Sequence, residues 1–172
     1  MATVESKGPG LQASLAAALA KLTSARQVRV GFLDGASYPD GTPVALVAAV
    51  QNYGGGAIPP RPFMDRTVQE HQGEWGPELA ALLKQDLDAE KALRTMGQRI
   101  KEEVQASILE GDYAPNALVT NLLKQRFPSG GQTFGDVIQA WRDVAAGATA
   151  PAGKPLVQSA HLVDSVDYEV TP

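Results

Sequence analysis

The run Gln51-Asn52-Tyr53-Gly54-Gly55-Gly56-Ala57-Ile58-Pro59-Pro60-Arg61-Pro62-Phe63-Met64 constrains the fold more than any other stretch of this chain. A helix stop, a glycine patch and a stiff proline segment follow one another directly. Gly54 has no Cβ and can take the left-handed backbone that ends a helix. Pro59, Pro60 and Pro62 each fix φ, remove an N–H donor and bias the preceding residue towards extended geometry. A central strand is excluded here. The expectation is a pre-ordered extended arm that presents Ile58, Arg61 and Phe63 to a partner at low entropic cost. Such an arm suits an assembly or docking protein better than a small-molecule enzyme.

A length of 172 residues fits one domain, residues 1–172, with a loose terminus over 1–9, a Gly/Pro arm over 54–62, and an insertion with a flexible linker over 128–154. Hydrophobic residues make up 44%, enough for a core, while aromatics at 6% leave Ala, Leu and Val to do the packing. That balance favours helices that approach closely. The net charge of −4 argues against duplex DNA binding as the main activity. Lys124-Gln125-Arg126 reads as a solvated surface turn. Without cysteine, disulfides and thiolate metal sites are impossible. No basic segment precedes an apolar run near residue 1, and Leu11 to Leu22 is too short to span a bilayer. The expectation is a soluble, non-secreted chain with no membrane partner.

Leu11, Leu15, Ala18, Leu19 and Leu22 recur at helical spacing and predict a short amphipathic helix. Val28, Val30 and Phe32 alternate, as in a half-buried strand. Thr42-Pro43 opens a segment from Val44 to Tyr53 whose Val44, Val47 and Ala48 lie on one helical face, although its β-branched content also suits a strand. Phe63 to Gln85 looks helical, with possible breaks at Gly73 and Gly76-Pro77. Asp88 caps the clearest helix, in which Leu93, Met96, Ile100, Val104 and Ile108 form one face and Gly111 ends the run. Shorter helices follow over Asn116–Phe127 and Phe134–Ala146, then a linker over Gly147–Gly153 read as mobile in the free monomer. Val166, Tyr168 and Val170 alternate in a closing strand. The fold class is therefore α+β, a small antiparallel sheet that pairs the early strand with the C-terminal one and packs against several helices. Two strands alone are marginal, so further strands or another subunit are expected to complete the sheet.

Chemistry-bearing patterns are sparse. His71 and His161 are the only histidines, and neither sits in a His-Glu-x-x-His spacing or beside clustered carboxylates, so both read as surface or interface residues. Gly54-Gly55-Gly56 lacks the Lys-Ser/Thr of a phosphate loop. Asp86, Asp88 and Glu90 fit a helix-capping cluster. Pro59-Pro60-Arg61-Pro62 could serve as a ligand for a proline-recognising domain or as a stiff lead-in to the next helix. Ser159, His161 and Asp164 have the residue types of a triad, but triads are built from well-separated positions. A small hydrolase using Ser159 and His161, or the Asp86/Asp88 pair, is the alternative from another functional class. No catalytic, cofactor-binding or metal site is expected.

An ordered series of short motifs adds to this reading. Val28-Arg29-Val30-Gly31-Phe32, Tyr38-Pro39-Asp40-Gly41-Thr42-Pro43-Val44-Ala45, Asn52-Tyr53-Gly54 and Ile58-Pro59-Pro60-Arg61-Pro62-Phe63 are followed by Asp88-Ala89-Glu90-Lys91-Ala92-Leu93, Pro115-Asn116-Ala117, and Lys154-Pro155-Leu156-Val157. In this order, over roughly residues 27 to 170, they resemble a family of tailed-bacteriophage morphogenesis proteins: neck, head–tail joining or tail-completion proteins. Where that family often reads Asp-Thr-Gly, this chain has Gln158-Ser159-Ala160, which puts a tight turn in question. The resemblance implies a structural, non-enzymatic virion protein, assembled in the host cytoplasm and located in the neck or tail. It implies an oligomeric ring, commonly sixfold, at the head–tail junction, with DNA only as passing cargo. Implied partners are a head-completion, stopper or connector protein on one side and a tail terminator or tail tube protein on the other. A tail terminator that caps the tube is the nearest alternative. The expected interface residues are Tyr53, Gly54, Ile58, Pro59, Pro60, Arg61, Pro62, Phe63, Lys154 and Pro155, with the arm and linker ordering on assembly.

Overall fold

A computed structural model describes residues 9–22, 25, 27–157 and 160–172. The order of elements is α1 (Pro9–Leu22), β1 (Gln27–Phe32), α2 (Val44–Tyr53), α3 (Phe63–Asp86), α4 (Ala89–Glu110), α5 (Leu118–Arg126), α6 (Phe134–Ala145), α7 (His161–Asp164) and β2 (Val166–Thr171). The class is α+β, as the alternation at the two ends of the chain predicts. β1 and β2 pair antiparallel, with Val28 opposite Val170, Val30 opposite Tyr168 and Phe32 opposite Val166. No third strand joins them among the described residues. Helix α4 covers the pair instead, packing on both strands.

Gly97 permits that close approach. A Cβ there would overlap the Tyr168 ring and the Val28 side chain. The main core forms where α2, α3 and α4 meet the sheet and α7, from Val44, Ala48, Phe63, Val104, Ile108, Leu162, Val163 and Val166 together with Leu156. Phe32 meets Phe63 edge-on with ring centroids 6.1 Å apart, the arrangement that ring quadrupoles favour. A second, smaller cluster of Val119, Leu122 and Ala140 joins α5 to α6, and Ala148 and Ala150 of the predicted linker pack against it.

Helix α4 has the cap and the face expected of it. The Asp88 carboxylate accepts from the Lys91 N–H at 3.0 Å, and Leu93, Met96, Val104 and Ile108 are buried. The Val44–Tyr53 segment is helical, with Val44, Ala48 and Asn52 inward. Helix α3 runs unbroken through Gly73 and Gly76-Pro77. A proline ring clashes with the carbonyl four residues back, here that of Gly73, so the residue there has no side chain to add to the crowding. Cross-helix ties hold the stretch in place: Trp75 Nε1 donates to Glu103 at 2.8 Å, and Arg99 pairs with Glu74 at 2.6 Å and also with Glu78. Helix α1 departs from the amphipathic expectation, because Leu15, Leu19 and Leu22 are exposed where it rests against α4. The 1–9 terminus lies almost wholly outside the described residues.

Candidate functional site

The proline segment does not project. Gly54, at φ +79°, ends α2, and Gly55 and Ile58 then exchange two backbone hydrogen bonds of 3.0 and 2.9 Å that turn the chain back on itself. A Cβ on Gly54 would come within 3.0 Å of the Ile58 carbonyl oxygen and the Pro60 nitrogen. The Arg61 N–H donates to the Gln51 carbonyl at 2.7 Å, which fastens the segment to the end of α2. Arg61 is 4% exposed and Phe63 1% exposed. Both were expected at an interface, and both are interior residues of the monomer. The reading of Pro59-Pro60-Arg61-Pro62 as a free ligand for a proline-recognising domain fails with them. Ile58, Pro59, Pro60 and Pro62 remain exposed, and so does Tyr53 at 69%.

Arg61 is the centre of a node that ties distant parts of the chain together. Its Nε donates to the Ala114 carbonyl at 2.9 Å, and Nη2 reaches the Pro115 carbonyl at 3.4 Å and Asn116 Oδ1 at 3.2 Å. Nη1 donates to Gln51 Oε1. Every one of these acceptors is neutral, and burial draws the guanidinium below its ordinary pKa. Asn52 does related work one turn away. Its Oδ1 accepts from the Met64 N–H at 2.9 Å and its Nδ2 donates to Asp65 at 3.0 Å, so a side chain of α2 caps the start of α3. Pro62, at the N-cap position, supplies no side-chain cap.

Lys124 extends the pattern and corrects the surface-turn reading of Lys124-Gln125-Arg126. Its Nζ donates to the carbonyls of Lys154, Pro155 and Val157, each at 3.1 Å. Burial, and then the charge of Arg61, lower its pKa. Arg126 pairs with Asp143 of α6 at 2.6 Å. Lys154 is exposed and donates to the Leu109 carbonyl at 2.8 Å, while Pro155 is half-buried.

Beside the node lies an open cleft of about 800 Å³, lined by Tyr38, Gln51, Asn116, Thr120, Lys124 and His161 among others. Its walls belong to the loop before α2, α2 itself, the α5–α6 unit, Pro155-Leu156 and His161-Leu162. The Tyr38 hydroxyl is pushed up in pKa by burial and then by Asp40. His161 places Nε2 at 3.0 Å from the Ser37 carbonyl oxygen, and its ring lies 4.7 Å from that of Tyr38. Ser159, its partner in the hydrolase reading, lies outside the described residues. Asp88 is the helix cap already described, and Asp86 pairs with Lys91.

A grouping of titratable residues that the sequence does not reveal sits between α3 and α4. His71 Nδ1 is 3.9 Å from Glu74 and 3.8 Å from Glu103, and the three possible ligand atoms lie within 4.8 Å of one another. Spacing along the chain hides it because Glu103 arrives from the neighbouring helix. Arg99 already pairs with both carboxylates, at 2.6 and 2.8 Å.

Large apolar side chains are also exposed on α6 and α2. Helix α6 presents Phe134 at 79% and Trp141 at 62%, with Ile138 on the same stripe, and α2 exposes Leu46 near Tyr53. Among the described residues no helix is long and apolar enough to cross a membrane. Comparison with protein families, with curated proteins and with solved structures finds no match to this chain.

Proposed function

We propose that this chain is a structural protein of a tailed-bacteriophage neck, one subunit of an oligomeric ring that completes the head–tail junction. The observation that carries the reading is the convergence of its motif pieces. The pieces are scattered along the sequence, yet each is tied to another: Arg61 of the Pro59–Phe63 segment holds Pro115 and Asn116, Lys124 holds Lys154 and Pro155, and Asn52 of Asn52-Tyr53-Gly54 caps the start of α3. The groups these cations hold are mostly backbone carbonyls, and the effect is to fix chain geometry. The apolar stripes on α1 and α6 and the exposed Tyr53 are what a subunit leaves bare when it is made to be covered. Neighbouring subunits and the partners above and below the ring would cover them. An assembly role also accommodates a sheet that has two strands among the described residues.

The test is joining in an extract. Purified protein added to lysate that holds filled heads and finished tails but lacks this protein is expected to restore infectious particles. No gain in plaques, with the added protein folded by circular dichroism, would count against the role. Restoration only when the protein is supplied before tail assembly would assign it to the tail terminator position instead.

A further inference from the structure

We infer that His71 and Glu74 of α3, together with Glu103 of α4, form a binding site for a zinc-like divalent metal ion that pins the two helices to each other. The inference does not depend on the virion reading. The three ligand atoms, His71 Nδ1, Glu74 Oε2 and Glu103 Oε1, lie within 4.8 Å of one another. Nδ1 is buried and has no hydrogen-bond partner. Its distances to the two carboxylates, 3.9 and 3.8 Å, are too long for hydrogen bonds. They are slightly wider than the roughly 3.4 Å that separates ligand atoms in a tetrahedral site with bonds of about 2.1 Å. A neutral imidazole with its proton on Nε2 presents the Nδ1 lone pair to that gap. Glu74, whose side chain is 59% exposed, has room to rotate and close it.

The charge balance agrees with this. Three carboxylates, Glu74, Glu78 and Glu103, gather on the single guanidinium of Arg99, which leaves two negative charges uncompensated. Among the described residues no lysine and no other arginine pairs with any of the three. One dication restores neutrality. Arg99 need not leave to admit it. Its Nη2 and Nε each use one lone pair of Glu74 Oε2 and Glu103 Oε1, and a carboxylate oxygen has a second to give. Ligating carboxylates are ordinarily hydrogen-bonded from outside in this way. Trp75 Nε1 holds the other oxygen of Glu103, Oε2, at 2.8 Å and so leaves Oε1 to face His71. An imidazole beside two carboxylates suits Zn²⁺, whereas Mg²⁺ prefers oxygen and water alone. The site brackets Gly73 and lies just before Gly76-Pro77, where α3 has its poorest helix formers, so a bound ion reinforces the helix at its weakest turn.

The test is a calorimetric titration of the full chain, first dialysed against EDTA, with zinc chloride, the melting temperature being followed in parallel. One zinc ion per chain is expected, with a rise in melting temperature of at least about 2 °C near saturation. Magnesium chloride at the same concentration is expected to give neither. His71→Gln and Glu74→Gln should each weaken zinc binding at least about tenfold. Glu74 is exposed, so its variant keeps the fold, which circular dichroism checks. His161→Gln, which removes the other of the two histidines, should bind zinc as the parent does. No zinc binding, an equal response to magnesium, undiminished binding by His71→Gln or Glu74→Gln, or an equal loss in His161→Gln would each overturn the assignment.

Discussion

Phe63 and Arg61 decide, at the level of single residues, whether the proline segment is an arm or a piece of the core. Phe63 lies in the main core against Phe32, so Phe63→Ala should cost about 3–5 kcal/mol in denaturant unfolding. A variant as stable as the parent would return Phe63 to the surface. Ala160 offers the opposite experiment. It stands in left-handed backbone at φ 58°, where a residue with a Cβ is strained and glycine is not. Ala160→Gly should therefore raise stability by about 1 kcal/mol, measured as a shift in denaturation midpoint at constant slope; no change, or a loss, would refute the strain. Gly54 was legible in the sequence as a helix stop. Arg61 was not, because Pro-Arg-Pro reads as an exposed extended ligand and nothing local shows that carbonyls from Ala114 and Pro115 will surround it.

Elements with a strong local signal are the ones the sequence reveals. Asp88, the apolar face of α4 and Gly111 agree with one another, and alternation marks both strands. Pairing between β1 and β2 follows because neither has another partner among the described elements. Helix α3 was harder to bound, since glycine and proline argue locally for breaks that its ion pairs to α4 override. Contact of α4 with the sheet depends on Gly97, and Gly97→Val should destabilise by at least about 1–3 kcal/mol, with the loss of Tyr168 packing visible in its ring NMR signals. The α5–α6 unit has its own pH response. Hydrogen bonds from Thr133 hold Asp136, and Arg126 together with Gln139 holds Asp143, below the ordinary aspartate value of about 3.9. A depressed folded-state pKa gives stability that is complete above the unfolded value and lost as pH falls through the folded one. Amide protection in α6 should fall below pH 4 ahead of that in α3. Equal loss in the two helices would show that these contacts are screened to insignificance.

For the whole molecule, a folded monomer leaves apolar stripes on α1 and α6 uncovered, and these carry the claim of assembly. The sequence placed the interface on the proline segment because stiffness and unusual composition draw attention there. Which helical faces stay bare depends on which neighbours arrive, and that is a property of the tertiary fold. Phe134→Ser combined with Trp141→Ser should leave the melting temperature within about 1–2 °C of the parent, since exposed side chains contribute little to the monomer, and should reduce joining severely. Undiminished joining would free α6 from any part in the interface. The central claim is tested most directly by electron microscopy of particles from an amber knockout of this gene beside wild type. Filled heads and separate, finished tails are the predicted result; normal virions would contradict it.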